Sequence, residues 1–128
     1  MFVVKEGLYY AKSHEWAEVQ GDTARIGITD FAQNQLGDVV FAEAAKAGRQ
    51  VAAGQSIGAV ESVKSASDLY TPVSGEIVES NPAVGDAPEK INTDPFAVWF
   101  VAIKLSDPSE LAALMDAAAY SAFCQAGA

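Results

Sequence analysis

The stretch AVESVKSASDLYTPVSGE carries a single lysine, Lys64, the only basic residue between Arg49 and Lys90. Glu61, Asp68, Glu76, Glu79, Asp86 and Glu89 share that interval with it. An amine nucleophile needs a depressed pKa, from burial or a neighbouring cation. Carboxylate neighbours hold the ammonium charged instead, which argues against a Schiff-base lysine. They do not argue against a lysine that another enzyme acylates, because an amide carries no charge. On chemistry alone, a solvated turn lysine is the commoner reading of such a residue. Other reactive side chains are sparse. His14 is the only histidine, too little for a metal site or a triad, and is assigned no role. Cys124 is the only cysteine. It cannot form an internal disulfide, has no cation near it in sequence, and reads as a small apolar residue on a helix.

Extended segments must position Lys64. IGAVESV precedes it and LYTPVSG follows, with small, turn-forming KSASD between them, so the lysine is predicted at or near the tip of a β-turn, pointing into water. Residues 48–80 are dense in glycine, valine and isoleucine with frequent turn signals, the pattern of short strands in a small β-sandwich or barrel. VES occurs at Val60–Ser62 and again at Val78–Ser80, a weak hint of two similar halves.

Upstream, EWAEVQ and TARIGI flank Gly21-Asp22 and predict a hairpin within 7–28, with Ala24, Ile26 and Ile28 on one face. TDFAQNQLGD predicts a short internal helix, capped by Thr29 and ended by Gly37, and DVVFAE returns to strand. NPAVGDAPEKINTDP, with three prolines and a glycine, reads as a long loop. FAVWFVAIK, apolar on both faces, suits a covered strand. The chain closes with a predicted helix over about 107–124, capped by Asp107, with Pro108 first, Glu110 completing a box-like start, and Leu111, Leu114, Met115, Ala118 and Ala122 on one stripe.

The 128 residues suit one domain (1–128, β-rich body about 7–104), and the 50% hydrophobic content is enough to build a core without disulfides. A net charge of −9 disfavours nucleic-acid and membrane-surface binding and favours encounter with basic protein surfaces. There is no spanning apolar run, signal pattern or arginine-rich leader, so the expected location is cytoplasmic.

The blocks KSHEW, GDTARIGITDFAQNQLGDVVF, GAVESVKSASDLYTPVSGEIVESN, INTDPF and LSDPSEL, in this order, resemble the H protein family of the glycine cleavage system, a family of lipoyl carriers. ESVKSASD followed by PVSGE is close to the family's modification motif. Biotin carriers place their lysine between two methionines and 2-oxoacid dehydrogenase lipoyl domains within Asp-Lys-Ala; here the neighbours are Val63 and Ser65. The resemblance implies a mainly β fold with flanking helices, a barrel-sandwich hybrid of the lipoyl/biotinyl-carrier type. It implies Lys64 as the site of covalent lipoate, Glu61 and Gly75 as presenting it to a lipoylating enzyme, and Ser13, Glu15 and Asp68 as lining a cleft for the loaded arm. It also implies a carrier rather than an enzyme, and a monomer. Such a carrier shuttles an aminomethyl group from a pyridoxal-phosphate glycine decarboxylase to a tetrahydrofolate-dependent aminomethyltransferase, and a flavin-containing dihydrolipoyl dehydrogenase reoxidises it. The alternative within the same shape is a relay that donates lipoyl groups to other enzymes. Three departures stand out: DPFAVWF is a residue shorter than usual and lacks its glycines, AEAA replaces a VELP-like stretch, and Lys90 replaces an apolar residue.

Overall fold

The computed structural model describes residues 2–127. Its strands are β1 (Tyr9–Tyr10), β2 (Glu15–Gln20), β3 (Thr23–Ile28), β4 (Val39–Ala44), β5 (Gln50–Val51), β6 (Ser56–Ser62), β7 (Ala66–Tyr70), β8 (Gly75–Ser80) and β9 (Val101–Leu105). They form a six-stranded sheet in the order β1-β2-β3-β9-β8-β5 and a three-stranded sheet in the order β4-β6-β7. Neither closes into a barrel. The two-sheet, mainly β architecture expected from the sequence is therefore present, with short helices at its margins.

The local signals that build the site are simple. β2 and β3 pair as an antiparallel hairpin around Gly21-Asp22, and Ala24, Ile26 and Ile28 all point into the core. Helix α1 (Asp30–Leu36) begins where Thr29 Oγ1 accepts the Ala32 amide and ends at Gly37, whose φ of 81° suits glycine. The main core lies between the two sheets and includes Ile26, Ile57, Val60, Leu69, Ile77, Phe100 and Ile103. A second cluster, rich in aromatics, forms around Leu8, Tyr10, Trp16, Ala117, Tyr120 and Cys124. Trp16 fits there because its cross-strand partner is Gly27; a Cβ on that glycine would stand 2.5 Å from the indole ring. Cys124 is buried in this cluster as a packing residue.

Three expectations need correction. The region read as a long loop contains two single-turn helices, α2 (Ala83–Asp86) and α3 (Lys90–Thr93), which bury Val84 and Ile91. The covered strand is shorter than FAVWFVAIK: Pro95 and a turn closed by Ala97 and Val98 amides on the Asp94 carbonyl delay it until Val101. The C-terminal helix is not continuous. Asp107 does cap a start, with Pro108 first, but as a 3-10 turn over Pro108–Ala113. Met115 then exchanges two backbone hydrogen bonds with Tyr10 (2.8 and 2.9 Å), and a new helix, α4 (Ala117–Gln125), starts under an Asp116 cap. This break resets the helical phase. The buried positions of α4 are Ala117, Tyr120 and Cys124, while Ala118 and Ala122 face solvent. Glu110 completes no capping box; its carboxylate accepts the Ser74 amide and hydroxyl, each at 2.7 Å.

Candidate functional site

The β6–β7 hairpin presents Lys64. Ser62, buried at the end of β6, organises the turn. Its amide donates to the Ser65 carbonyl (2.7 Å), and its hydroxyl accepts the Ser65 amide (3.1 Å) and the Lys64 amide (3.3 Å). The backbone of the turn that carries Lys64 is thus pinned. Lys64 is exposed. Its aliphatic stem lies over Gly37, the end of α1, where an added Cβ would come within 3.3 Å of Lys64 Cε.

Glu61 and Gly75 are not neighbours. Glu61 pairs with Ala66 across the hairpin and with Phe41 of β4, one residue below the turn and exposed. Gly75 lies beyond the far end of β7, in the other sheet, paired with Val51 and Leu105. A Cβ on Gly75 would stand 2.0 Å from the Lys104 carbonyl oxygen, and its φ is 156°. The close approach expected at this glycine is present, and it serves the joining of β8 to β9.

A cleft of about 380 Å³ runs beside the hairpin. It is lined by Ser65, Ala66, Ser67 and Asp68 of the hairpin, by Phe31, Ala32, Gln35 and Leu36 at α1, and by Ser13, His14 and Glu15. Ser13, Glu15 and Asp68 are therefore brought together, but in different settings. Glu15 is 2% exposed. Its carboxyl accepts the Tyr70 amide at 3.1 Å and is hydrogen-bonded to the Ser13 hydroxyl. Burial pushes its pKa up to about 7, against the opposing pull of those two bonds. Asp68 stands opposite Ala59 on β7, an edge strand, and is exposed at the rim.

His14 also lines the cleft. It is the one non-glycine residue with positive φ among those described, at 74°. Its amide donates to the Ala11 carbonyl, its carbonyl accepts the Thr29 amide, and Nδ1 meets the Tyr120 hydroxyl at 2.7 Å. Its ring stacks on Phe31 at 4.7 Å, and burial lowers its pKa. A histidine tolerates this backbone region better than most residues, which is the one local signal that the sequence offered. Asn92 was also missed. It ties α3 to the end of α1 and the start of β4: its amide group donates to Gln33 Oε1 and the Gly37 carbonyl, both at 2.9 Å, and Oδ1 accepts the Val39 amide at 2.8 Å.

Residues 8–127 match the family model described as "Glycine cleavage H-protein". The chain belongs to that family. It is 51% identical over 119 residues to the glycine cleavage system H protein of Leptospira biflexa, covering 93% of this chain and 92% of the relative. It is 55% identical to that of Phenylobacterium zucineum, covering 89% and 95% respectively. The crystal structure of a glycine cleavage system H protein from Mycobacterium marinum superposes with a TM-score of 0.85 at 39% identity, over 98% of this chain and all of that one. Membership makes the chain a carrier component of glycine cleavage, of the lipoyl-bearing kind, and not a catalyst. Among the described residues, no helix is long and apolar enough to cross a membrane.

In DPFAVWF the Ala97 and Val98 amides close a tight turn on the Asp94 carbonyl, Pro95 O accepts Trp16 Nε1 at 3.1 Å, and Arg25 lies 4.8 Å over the Trp99 ring. Lys90 is exposed at the start of α3 and disturbs no core position.

Proposed function

We propose that lipoate is carried in amide linkage on Lys64, and that the chain serves glycine cleavage as the moving substrate of several enzymes. It takes an aminomethyl group from the pyridoxal-phosphate glycine decarboxylase to the tetrahydrofolate-dependent aminomethyltransferase and is reoxidised by the FAD-containing dihydrolipoyl dehydrogenase. The observation that carries this reading is the juxtaposition of an exposed lysine on a pinned turn with a neighbouring cleft whose lining includes a buried carboxyl. The lining suits the group: Ile28, Phe31, Leu36, Val60 and Leu69 offer apolar walls to an aliphatic arm, and Glu15 offers an acceptor to an amine. When bound, lipoate supplies a strained disulfide that accepts electrons and a one-carbon group.

The chain's own residues do the rest. Ser62 fixes the turn, so the arm swings from a defined point, and tethering raises its effective concentration at each docked partner. Glu61, beside the turn, contributes to recognition by the lipoylating enzyme. Gly75 acts at a distance, by holding the sheet that supports the hairpin. Exposed Ser13 and buried Glu15 receive a cationic amine in the cleft, and the apolar walls shield it from water. Asp68 adds a weaker, solvent-screened charge at the rim.

Intact mass after incubation with ligase, ATP and lipoate tests the assignment. The parent should gain one lipoyl group and Lys64→Arg none, with the fold unchanged because the site is exposed. Lipoylation of Lys64→Arg at the parental level would remove Lys64 from this role.

A further inference from the structure

The outer face of the three-stranded sheet is apolar where it meets the Lys64 turn. β4 carries a bulge between Val39 and Phe41. Strict alternation would bury every second residue, but here the consecutive Val40 and Phe41 are 57% and 45% exposed, while Val39 and Ala42 on either side are buried. A bulge re-aims side chains in this way at the cost of regular pairing. Phe41 stands opposite Glu61, and Val63, 71% exposed, is joined to the approach of β4 by the hydrogen bond that its backbone N–H donates to the Asp38 carbonyl (3.0 Å). Three large, exposed apolar side chains therefore stand on the turn that carries Lys64 and on the strand paired with the residues leading into it. Asp38, Glu43 and Glu61, all exposed, border them. Apolar clusters of this kind on a soluble surface mark contact sites.

We propose that Val40, Phe41 and Val63 form the docking surface for the enzyme that attaches lipoate to Lys64, a partner with an apolar contact centre bordered by lysine or arginine. This rests on Lys64 being the acylated residue. The choice among partners follows from where the chemistry occurs. The attaching enzyme must bring Nζ itself to its acyl donor, so its surface has to close on the residues beside Lys64. Enzymes that act on the far end of the arm can be reached without covering those residues. A second copy of this chain is a poor occupant, because two acidic borders would face one another.

The test compares initial rates of lipoylation against carrier concentration for the parent, Phe41→Ser/Val63→Ser, Val63→Ser and Val78→Ser. Val78 is the control: it is 45% exposed beside a bulge in the six-stranded sheet. The double variant should raise KM about tenfold or more with kcat retained. Val63→Ser alone should move KM in the same direction, and Val78→Ser should match the parent. Absence of any lipoyl mass on the parent would defeat the Lys64 assignment itself. A lipoylated parent with unchanged KM in the double variant would overturn the docking surface alone. So would a concentration-dependent parental dimer that the double variant loses, which gives the patch to a second copy. A defect confined to glycine-dependent turnover of the pre-lipoylated double variant would give it to glycine decarboxylase and overturn the proposal as well.

Discussion

Glu15 is a carboxyl held where water scarcely reaches. With its pKa raised from 4.5 to about 7 by burial, ionising it in the folded protein costs about 3 kcal/mol more than in the unfolded chain. Between those two values the folded state holds more protons than the unfolded one, so this residue's contribution to stability falls as pH rises through the window. Glu15→Gln keeps an oxygen for the Tyr70 amide and turns a donor toward Ser13. The variant should match the parent below pH 4.5 and exceed it above pH 7 by up to about 3 kcal/mol in urea unfolding. His14 acts with the opposite sign, since its lowered pKa opposes folding as pH falls, but it is common to both proteins and cancels in their difference. A parent-minus-variant stability that is flat with pH would show that Glu15 ionises freely. The same buried carboxyl should bind a cationic amine more tightly as pH rises through about 7, because only the carboxylate is a counter-charge. At this scale the turn that presents Lys64 was legible, since turn residues are local properties. The roles of His14 and Asn92 were not, because their partners, Tyr120 and Gly37 among them, lie 106 and 55 residues away in the chain.

At the scale of elements, the cleft is framed by parts that each borrow a tie from elsewhere. α4 contributes no side chain to the cleft lining, yet Tyr120 reaches from it to Thr29 Oγ1 and His14 Nδ1, both at 2.7 Å, while its ring stacks on Tyr10 at 4.5 Å. Thr29 in turn caps α1, which forms one wall. Tyr120→Phe should keep the stacked ring but take a hydrogen-bond partner from buried Thr29 Oγ1 and from half-buried His14 Nδ1, at a cost of about 1–3 kcal/mol in urea unfolding. It should also lower the protection of α1 amides in hydrogen exchange. Parental stability together with unchanged protection would mean that α4 is merely packed on. The sequence announced α1 correctly because its cap and terminator are adjacent residues. The end of the chain was misread because the Tyr10–Met115 bridge, which divides the final helix, depends on a strand 105 residues earlier, beyond the reach of any helical period. The short helices α2 and α3 were hidden for a related reason. Their prolines signal turns, and only burial of Val84 and Ile91 against the core makes those turns helical.

Considered whole, the molecule joins two sheets that no local pattern assigns. The two VES segments show this: Val60–Ser62 ends β6 in the small sheet and Val78–Ser80 ends β8 in the large one. Alternation predicts strands but not which sheet each one joins, since that is decided by long-range packing between Ile57, Val60, Ile77 and Ile103. Net charge, by contrast, is fully legible, and it yields a prediction about every partner at once. The chain carries −9, and the acylation proposed for Lys64 would remove one positive charge and make the chain more acidic still. The partner enzymes proposed above are therefore expected to attract it through cationic groups, and the long-range part of such an attraction is screened by salt. The Debye length shrinks from about 30 Å to about 10 Å as ionic strength rises from about 0.01 M to about 0.1 M. The chemistry at each active site proceeds after docking and is sheltered from bulk ions. Raising sodium chloride over that range should therefore lower kcat/KM of glycine-dependent turnover, measured against lipoylated carrier, by about tenfold, and leave kcat nearly constant. Constant kcat/KM across the range would mean that docking depends on apolar contact alone and that the acidity of the chain serves only its solubility.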